Sequence, residues 1–238
     1  MKYSAGAHKS QRHYFLEKSM KRVAKTVGTL GLMGCVVLNS PPAVADDSGW
    51  YGGVNIGQSG ADIDHGRIRS GLLSGGFTTT SISDDDRDTG YKLFGGYQFN
   101  KYFVLEAGYF DLGKFEFTAA TGPAGTLRGN IKVKGLNFDA VGILPITEKF
   151  SAFGRVGLNY AEAKNSFTGT GLVNVSNSNR SKRDINYKFG LGLQFHFTKS
   201  LGIRTEAERY RIDDAVGNKG DIDLFSVGLV YRFGGASE

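Results

Sequence analysis

Charged residues recur in this 238-residue chain at a spacing of two inside otherwise oily runs. Glu206 and Glu208, Lys132 and Lys134, and Arg209 and Arg211 are such pairs, and Lys92, Glu106, Asp139, Arg155, Lys188, Arg204 and Arg232 sit in similar runs. Residues two apart share one face of a strand. If such a face is enclosed by protein, its charges must pair and hydrogen-bond, because an isolated buried charge is strongly disfavoured. The chemistry these residues suit is therefore ion pairing.

Catalysis needs a different set. A nucleophilic or acid–base site requires a histidine with a hydroxyl or carboxylate in reach, and beyond residue 45 the histidines are His65 and His196. His65 stands near Asp62 and Asp64, and the run Asp84-Asp85-Asp86 closes the same polar stretch. No spacing motif links them to a nucleophile, so they read as exposed loop residues. His196 should make a structural hydrogen bond beside a short turn. The acidic run lacks the alternating spacing of a calcium loop. Neither an enzyme nor a cofactor or metal is expected.

The formal charge of +6 suggests a nucleic-acid binder until it is located. Seven basic residues, Lys2, Lys9, Arg12, Lys18, Lys21, Arg22 and Lys25, precede a short apolar run from Val27 to Leu38, opposed only by Glu17. Pro41, Pro42 and the small-residue pattern Ala43-Val44-Ala45 follow. This reads as a secretory signal peptide over 1–45, cut before Asp46, with Met20 an alternative start. Removing those seven and Glu17 from 29 Lys+Arg and 23 Asp+Glu leaves 22 of each, so residues 46–238 are formally neutral. A nucleic-acid partner is thereby excluded. The one cysteine, Cys35, leaves with the leader, and no thiol or disulfide remains.

Residues 46–238 form one all-β domain in which eight strands alternate apolar and polar, near 49–59, 89–99, 102–112, 131–144, 149–162, 184–197, 200–211 and 222–233. The last strand shows the pattern: Phe225, Val227, Leu229, Tyr231 and Phe233 on one side, Leu224, Ser226, Gly228, Val230 and Arg232 on the other. Short turns at 100–101, 145–148 and 198–199 alternate with long loops at 60–88, 113–130, 163–183 and 212–221. These features specify an eight-stranded antiparallel up-and-down transmembrane β-barrel with short periplasmic turns and long extracellular loops. Aromatics sort by end: Trp50, Phe99, Phe103, Phe150, Phe197 and Phe233 at the turns, Tyr91, Tyr109, Tyr160, Tyr187 and Tyr210 at the loops, as two interfacial girdles.

In this frame Lys92, Arg155, Lys188, Arg204 and Arg232 face inward with Glu106, Asp139, Glu206 and Glu208. An eight-stranded barrel is just wide enough for side chains to fill it, so these nine residues are expected to form an ionic plug; a narrow conducting path is the alternative. Lys132, Lys134, Arg209 and Arg211 face outward at the loop ends, where they either contact lipopolysaccharide phosphates or snorkel to the interface. Loops 60–88 and 163–183 are natural sites for a surface receptor or phage.

Tyr91 to Lys114, YKLFGGYQFNKYFVLEAGYFDLGK, resembles the second hairpin of the OmpA-like transmembrane domain of Gram-negative bacteria, and Glu208 to Gly234 resembles its last hairpin. The resemblance implies insertion in the outer membrane by the barrel assembly machinery, which recognises a terminal strand ending in aromatics, here Tyr231 and Phe233. It also implies lumen charge networks that switch between closed and open forms. The peptidoglycan-binding domain of the best-known members has no counterpart here, so wall anchoring is not expected to carry over. A structural barrel supporting envelope integrity and displaying surface loops is the expected function, with a small channel for ions or solutes as the alternative.

Overall fold

A computed structural model describes residues 48–175, 179–213 and 219–233; the expected signal peptide lies outside them. The chain runs β1 (Gly49–Ala61), α1 (His65–Ser74), β2 (Thr78–Asp85), β3 (Arg87–Asn100), β4 (Phe103–Gly122), β5 (Gly125–Pro145), β6 (Phe150–Gly171), β7 (Asn179–His196), β8 (Leu201–Asp213) and β9 (Lys219–Arg232). All pairings are antiparallel. Strand β1 pairs with β3 on one side and β9 on the other, and β4 pairs with β5, so eight strands close into a ring. Closure gives each of them two neighbours, the condition for placing a sheet in hydrocarbon.

The ninth segment, β2, pairs with the far end of β4 from Thr78↔Gly122 to Asp85↔Glu116. It continues the line of β3, which pairs with the near part of β4 from Tyr91↔Asp111 to Asn100↔Phe103. Segments β2 and β3 are thus two halves of one stave interrupted at Asp86, so the barrel itself keeps eight staves.

Period-two patterning makes these strands and also decides what surrounds them. On β7, Tyr187, Phe189, Leu191, Leu193 and Phe195 are exposed, while Lys188 and Gln194 are buried between them. Leu191 is 67% exposed and Val156 64%, more than any lumen charge. A surface oilier than the interior, far beyond the patches a soluble monomer shows, is a surface made for lipid. No described helix is long and apolar enough to cross a membrane; the strands do so. At the turn end, Trp50 stacks edge-on with Tyr97 (5.1 Å between centroids), Tyr97 with Phe99, and Tyr231 with Phe233. At the other end Tyr91, Tyr109, Tyr160 and Tyr187 are exposed, but Tyr210 points into the lumen and is fully buried, which removes it from the girdle.

Two of the expected long loops are strand instead. Residues 113–130 form the continuation of the β4–β5 hairpin, turning at Pro123 and Ala124, and most of 163–183 extends β6 and β7. The cause is local. Register shifts by one residue between Asp111 and Lys114, opposite Lys134 and Lys132. Gly113 takes φ +82°, and its amide donates to Asp111 Oδ1 at 2.9 Å. This glycine bulge flips the phase, so Phe110 and Leu112 face inward before it and Phe115, Phe117 and Ala119 after it. In the first loop, Asp64 caps α1 by accepting from the Arg67 amide. The result is a wall of β2, β4, β5, β6 and β7 that stands well above the β8–β9 side.

Candidate functional site: an ionic layer in the lumen

Every second residue of the membrane-level strands meets the barrel axis, and at mid-height those positions carry Lys92, Glu106, Asp139, Arg155, Lys188, Arg204, Glu206 and Glu208, all buried. Four are cations and four are anions. Room for them comes from glycines on neighbouring strands. Gly157 pairs with Asp139, and a Cβ there would lie 2.1 Å from Asp139 Oδ1. Gly96 pairs with Glu106, where a Cβ would lie 2.9 Å from Glu106 Cγ.

The pairs join residues far apart in the chain. Lys92 donates to Glu206 at 2.5 Å and to Glu208 at 3.0 Å. Arg155 reaches Glu106 at 2.9 Å, Asp139 at 3.2 Å and Glu206 at 2.8 Å. Lys188 bridges Asp139 (3.0 Å) and Glu208 (2.7 Å). Arg204 donates to Glu106 at 2.7 Å and, through Nε, to Gln194 at 2.8 Å. Tyr51 also donates to Glu106, and Tyr210 to Glu208 at 3.3 Å. The Arg204 guanidinium lies 4.8 Å from the ring centroids of both Phe94 and Phe153, a cation–π sandwich. Arg232 stands apart from this layer, at the turn-end mouth, where it donates to Gln98. His196 shares a 2.9 Å hydrogen bond with Gln194 in the same mouth.

Apolar layers close both sides. Toward the tall end Phe110, Leu112, Phe115, Val133, Tyr210, Ile212, Ile222 and Leu224 fill the lumen, with Phe110 and Tyr210 4.8 Å apart. Toward the turns Tyr51, Phe94, Val104, Val141, Phe153 and Val230 do the same. The cavity beyond them, lined by Gln98, His196, Arg204 and Arg232 among others, holds about 10 Å³, barely one water. A period of two turns the membrane-level members of these layers inward, Tyr210 among them, against its expected place in the girdle.

The outward cations fall into two groups. Arg209 makes a bidentate pair with Asp223 (2.6 and 2.7 Å) and Arg211 pairs with Asp221 at 2.8 Å. Lys132 and Lys134 are exposed on β5. His65 lies 3.4 Å from Asp84 at the tall end, and no group of three or more metal-ligating side chains occurs among the described residues.

A closed antiparallel ring with an oily exterior, aromatic girdles and a charged, side-chain-filled lumen defines an outer-membrane β-barrel, a multi-pass protein of the bacterial outer membrane. The OmpA-like transmembrane domain model matches residues 45–237, and the chain belongs to that family. Outer membrane protein A of Klebsiella pneumoniae is 29% identical over 205 residues, covering 83% of this chain and 54% of that protein. Its namesake from Shigella dysenteriae is 27% identical over 222 residues, covering 90% and 56%. The chain therefore spans about half the length of the curated relatives it matches. Neisserial surface protein A shares the fold, with a TM-score of 0.51 and 11% identity over 78% of this chain and 99% of that one.

Proposed function

We propose that this chain is a closed structural barrel that supports the integrity of the outer membrane and carries a raised β wall into the medium for adhesion or recognition, by a surface receptor or a phage. One observation carries the reading: the ionic layer is balanced, four against four, and apolar side chains seal it on both faces. A path for water and ions has to break both seals. The reading is of a non-enzyme, in keeping with the outer-membrane barrel family to which the chain belongs. The exposed Tyr231 and Phe233 at the end of β9 suit recognition by the barrel assembly machinery. Planar-bilayer recording of the refolded chain from Asp46, with folding checked by a heat-dependent gel shift, should give silence at high salt. Steady single-channel steps would overturn the closed barrel.

A second reading, a narrow ion path, has its own support in the sharing of partners. Glu206 is within reach of Lys92, Arg155 and Arg204 at once, so partners can be exchanged without leaving a charge bare. Channel activity that appears only on neutralising these residues would favour it.

A further inference from the structure

Three lysines stand in one row across the outer face of the wall. Lys114 is directly opposite Lys132 across the β4–β5 pair, and Lys132 is directly opposite Lys164 across the β5–β6 pair. Their adjacent chain neighbours Phe115, Val133 and Ala163, which point to the other face of the sheet, are buried in the lumen, so the lysines face out. Directly opposed like charges destabilise a sheet, and this row opposes them twice. Lys114 leans on Glu116 and Lys164 lies 3.6 Å from Glu162; Lys132, between them, has no carboxylate partner among the described residues.

The height of the row is as telling as its charge. The tyrosine row of the girdle, Tyr109↔Leu136↔Tyr160↔Ile185, marks the end of the apolar belt. The next row, Asp111↔Lys134↔Glu162↔Arg183, is mixed and pairs within itself, Arg183 bonding Glu162 at 2.9 Å. The lysine row follows, about 13 Å along the strands from the tyrosines at roughly 3.3 Å per residue. With a strand tilt of about 40° this is about 10 Å of height above the apolar belt, at the outer edge of the headgroup layer. On β8, by contrast, Arg209 and Arg211 are neutralised by Asp223 and Asp221.

We infer that Lys114, Lys132 and Lys164 form a binding row for the phosphates of a multiply phosphorylated glycolipid of the outer leaflet. Opposed side chains stand about 5 Å apart, so the three ammonium groups span about 10 Å and can be shared between two phosphates by charge-assisted hydrogen bonds. Bound phosphate converts the repulsion into attraction. The inference rests on the outer-membrane placement of the chain and is independent of whether the lumen conducts.

The test uses the refolded chain from Asp46 and the triple variant Lys114→Gln/Lys132→Gln/Lys164→Gln, each shown folded by the heat-dependent gel shift. In phosphatidylcholine vesicles the variant should unfold at a higher urea midpoint than the parent, because the repulsion is gone. In vesicles containing bis-phosphorylated lipid A the order should reverse, and the variant should retain lipid A on repurification about tenfold less well per lysine removed, the loss expected for one charge-assisted hydrogen bond. Replacing the three lysines by arginine should keep the response, and lipid A stripped of phosphate should abolish it. A shift of the same sign in both vesicles overturns the inference, as does inorganic pyrophosphate reproducing the lipid A effect in phosphatidylcholine, which would identify a soluble anion instead. Should the triple variant fold poorly, Lys132→Gln alone reads the same sign reversal.

Discussion

Glu106 and Asp139 face each other across the β4–β5 ladder, two carboxylates at directly paired positions, and Nη1 of Arg155 from β6 sits between them at 2.9 and 3.2 Å. Without that guanidinium the two anions would repel in a water-poor lumen. Arg155→Met should therefore cost about 3–5 kcal/mol of folding free energy, the usual loss on breaking a buried ionic group. Adding Asp139→Asn should restore part of it. Urea unfolding in lipid vesicles measures both, and a double variant no more stable than Arg155→Met would mean that Asp139 is not the group left uncompensated.

Removing the ionic layer is not expected to open the barrel by itself. The Phe110–Tyr210 contact at 4.8 Å remains above it and the Tyr51, Phe94 and Phe153 cluster below. Arg155→Met should stay silent in bilayer recordings, whereas adding Phe110→Ala and Tyr210→Ala above together with Phe94→Ala and Phe153→Ala below should break both seals and produce steps. Steps from the single variant would place the gate in the ionic layer instead.

Glycine spacing in the lumen is a packing device that substitution can probe. Gly157→Ala places a methyl carbon 2.1 Å from Asp139 Oδ1 and 2.4 Å from the Phe138 carbonyl, whereas at Gly142 nothing lies within 4 Å. Gly157→Ala should cost about 1–3 kcal/mol and Gly142→Ala less than about 0.5 kcal/mol. Equal unfolding midpoints for the two would contradict this geometry.

The lipid belt can be located the same way. Val156 pairs with Ala140 in the middle of the apolar rows and points outward. An arginine there should cost about 2–4 kcal/mol, as expected at a bilayer midplane, while Thr118→Arg on the raised wall should change stability by less than about 0.5 kcal/mol. Folding efficiency into vesicles gives the same ranking if the belt is where the exposed residues put it.

At the base of the wall, a hydrogen bond from Lys114 holds the Glu116 carboxyl below its usual 4.5. A depressed folded value means that Glu116 contributes stability above the unfolded value and loses it as pH falls through the lower folded one. Side-chain NMR titration should find Glu116 below 4.5, and Lys114→Gln should raise it toward 4.5.

Much of this was readable from the chain because a period of two is rigid: once Leu191 is known to face lipid, Lys188 and Gln194 must face the axis. Inward charges followed from that alone. Their partners did not, since Lys92 and Glu206, 114 residues apart, meet through the stagger of the closed ring, which no single strand records. The height of the wall was hidden by one residue. Gly113 inverts the phase of β4, so Phe115 and Phe117 fall out of step with Phe110 and read as loop. Similarly, Arg209 and Arg211 come opposite Asp223 and Asp221 only through the register of β8 with β9, which the outward phase alone does not give.

The unequal height of the staves gives the barrel a direction in the plane of the membrane. Strands β4, β5 and β6 run 20, 21 and 22 residues, against 13 and 14 for β8 and β9. A neighbour drifting up against the short side meets a rim near headgroup level, whereas one arriving at the tall side meets a hydrogen-bonded fence. Crowding in a packed leaflet is therefore anisotropic around this molecule.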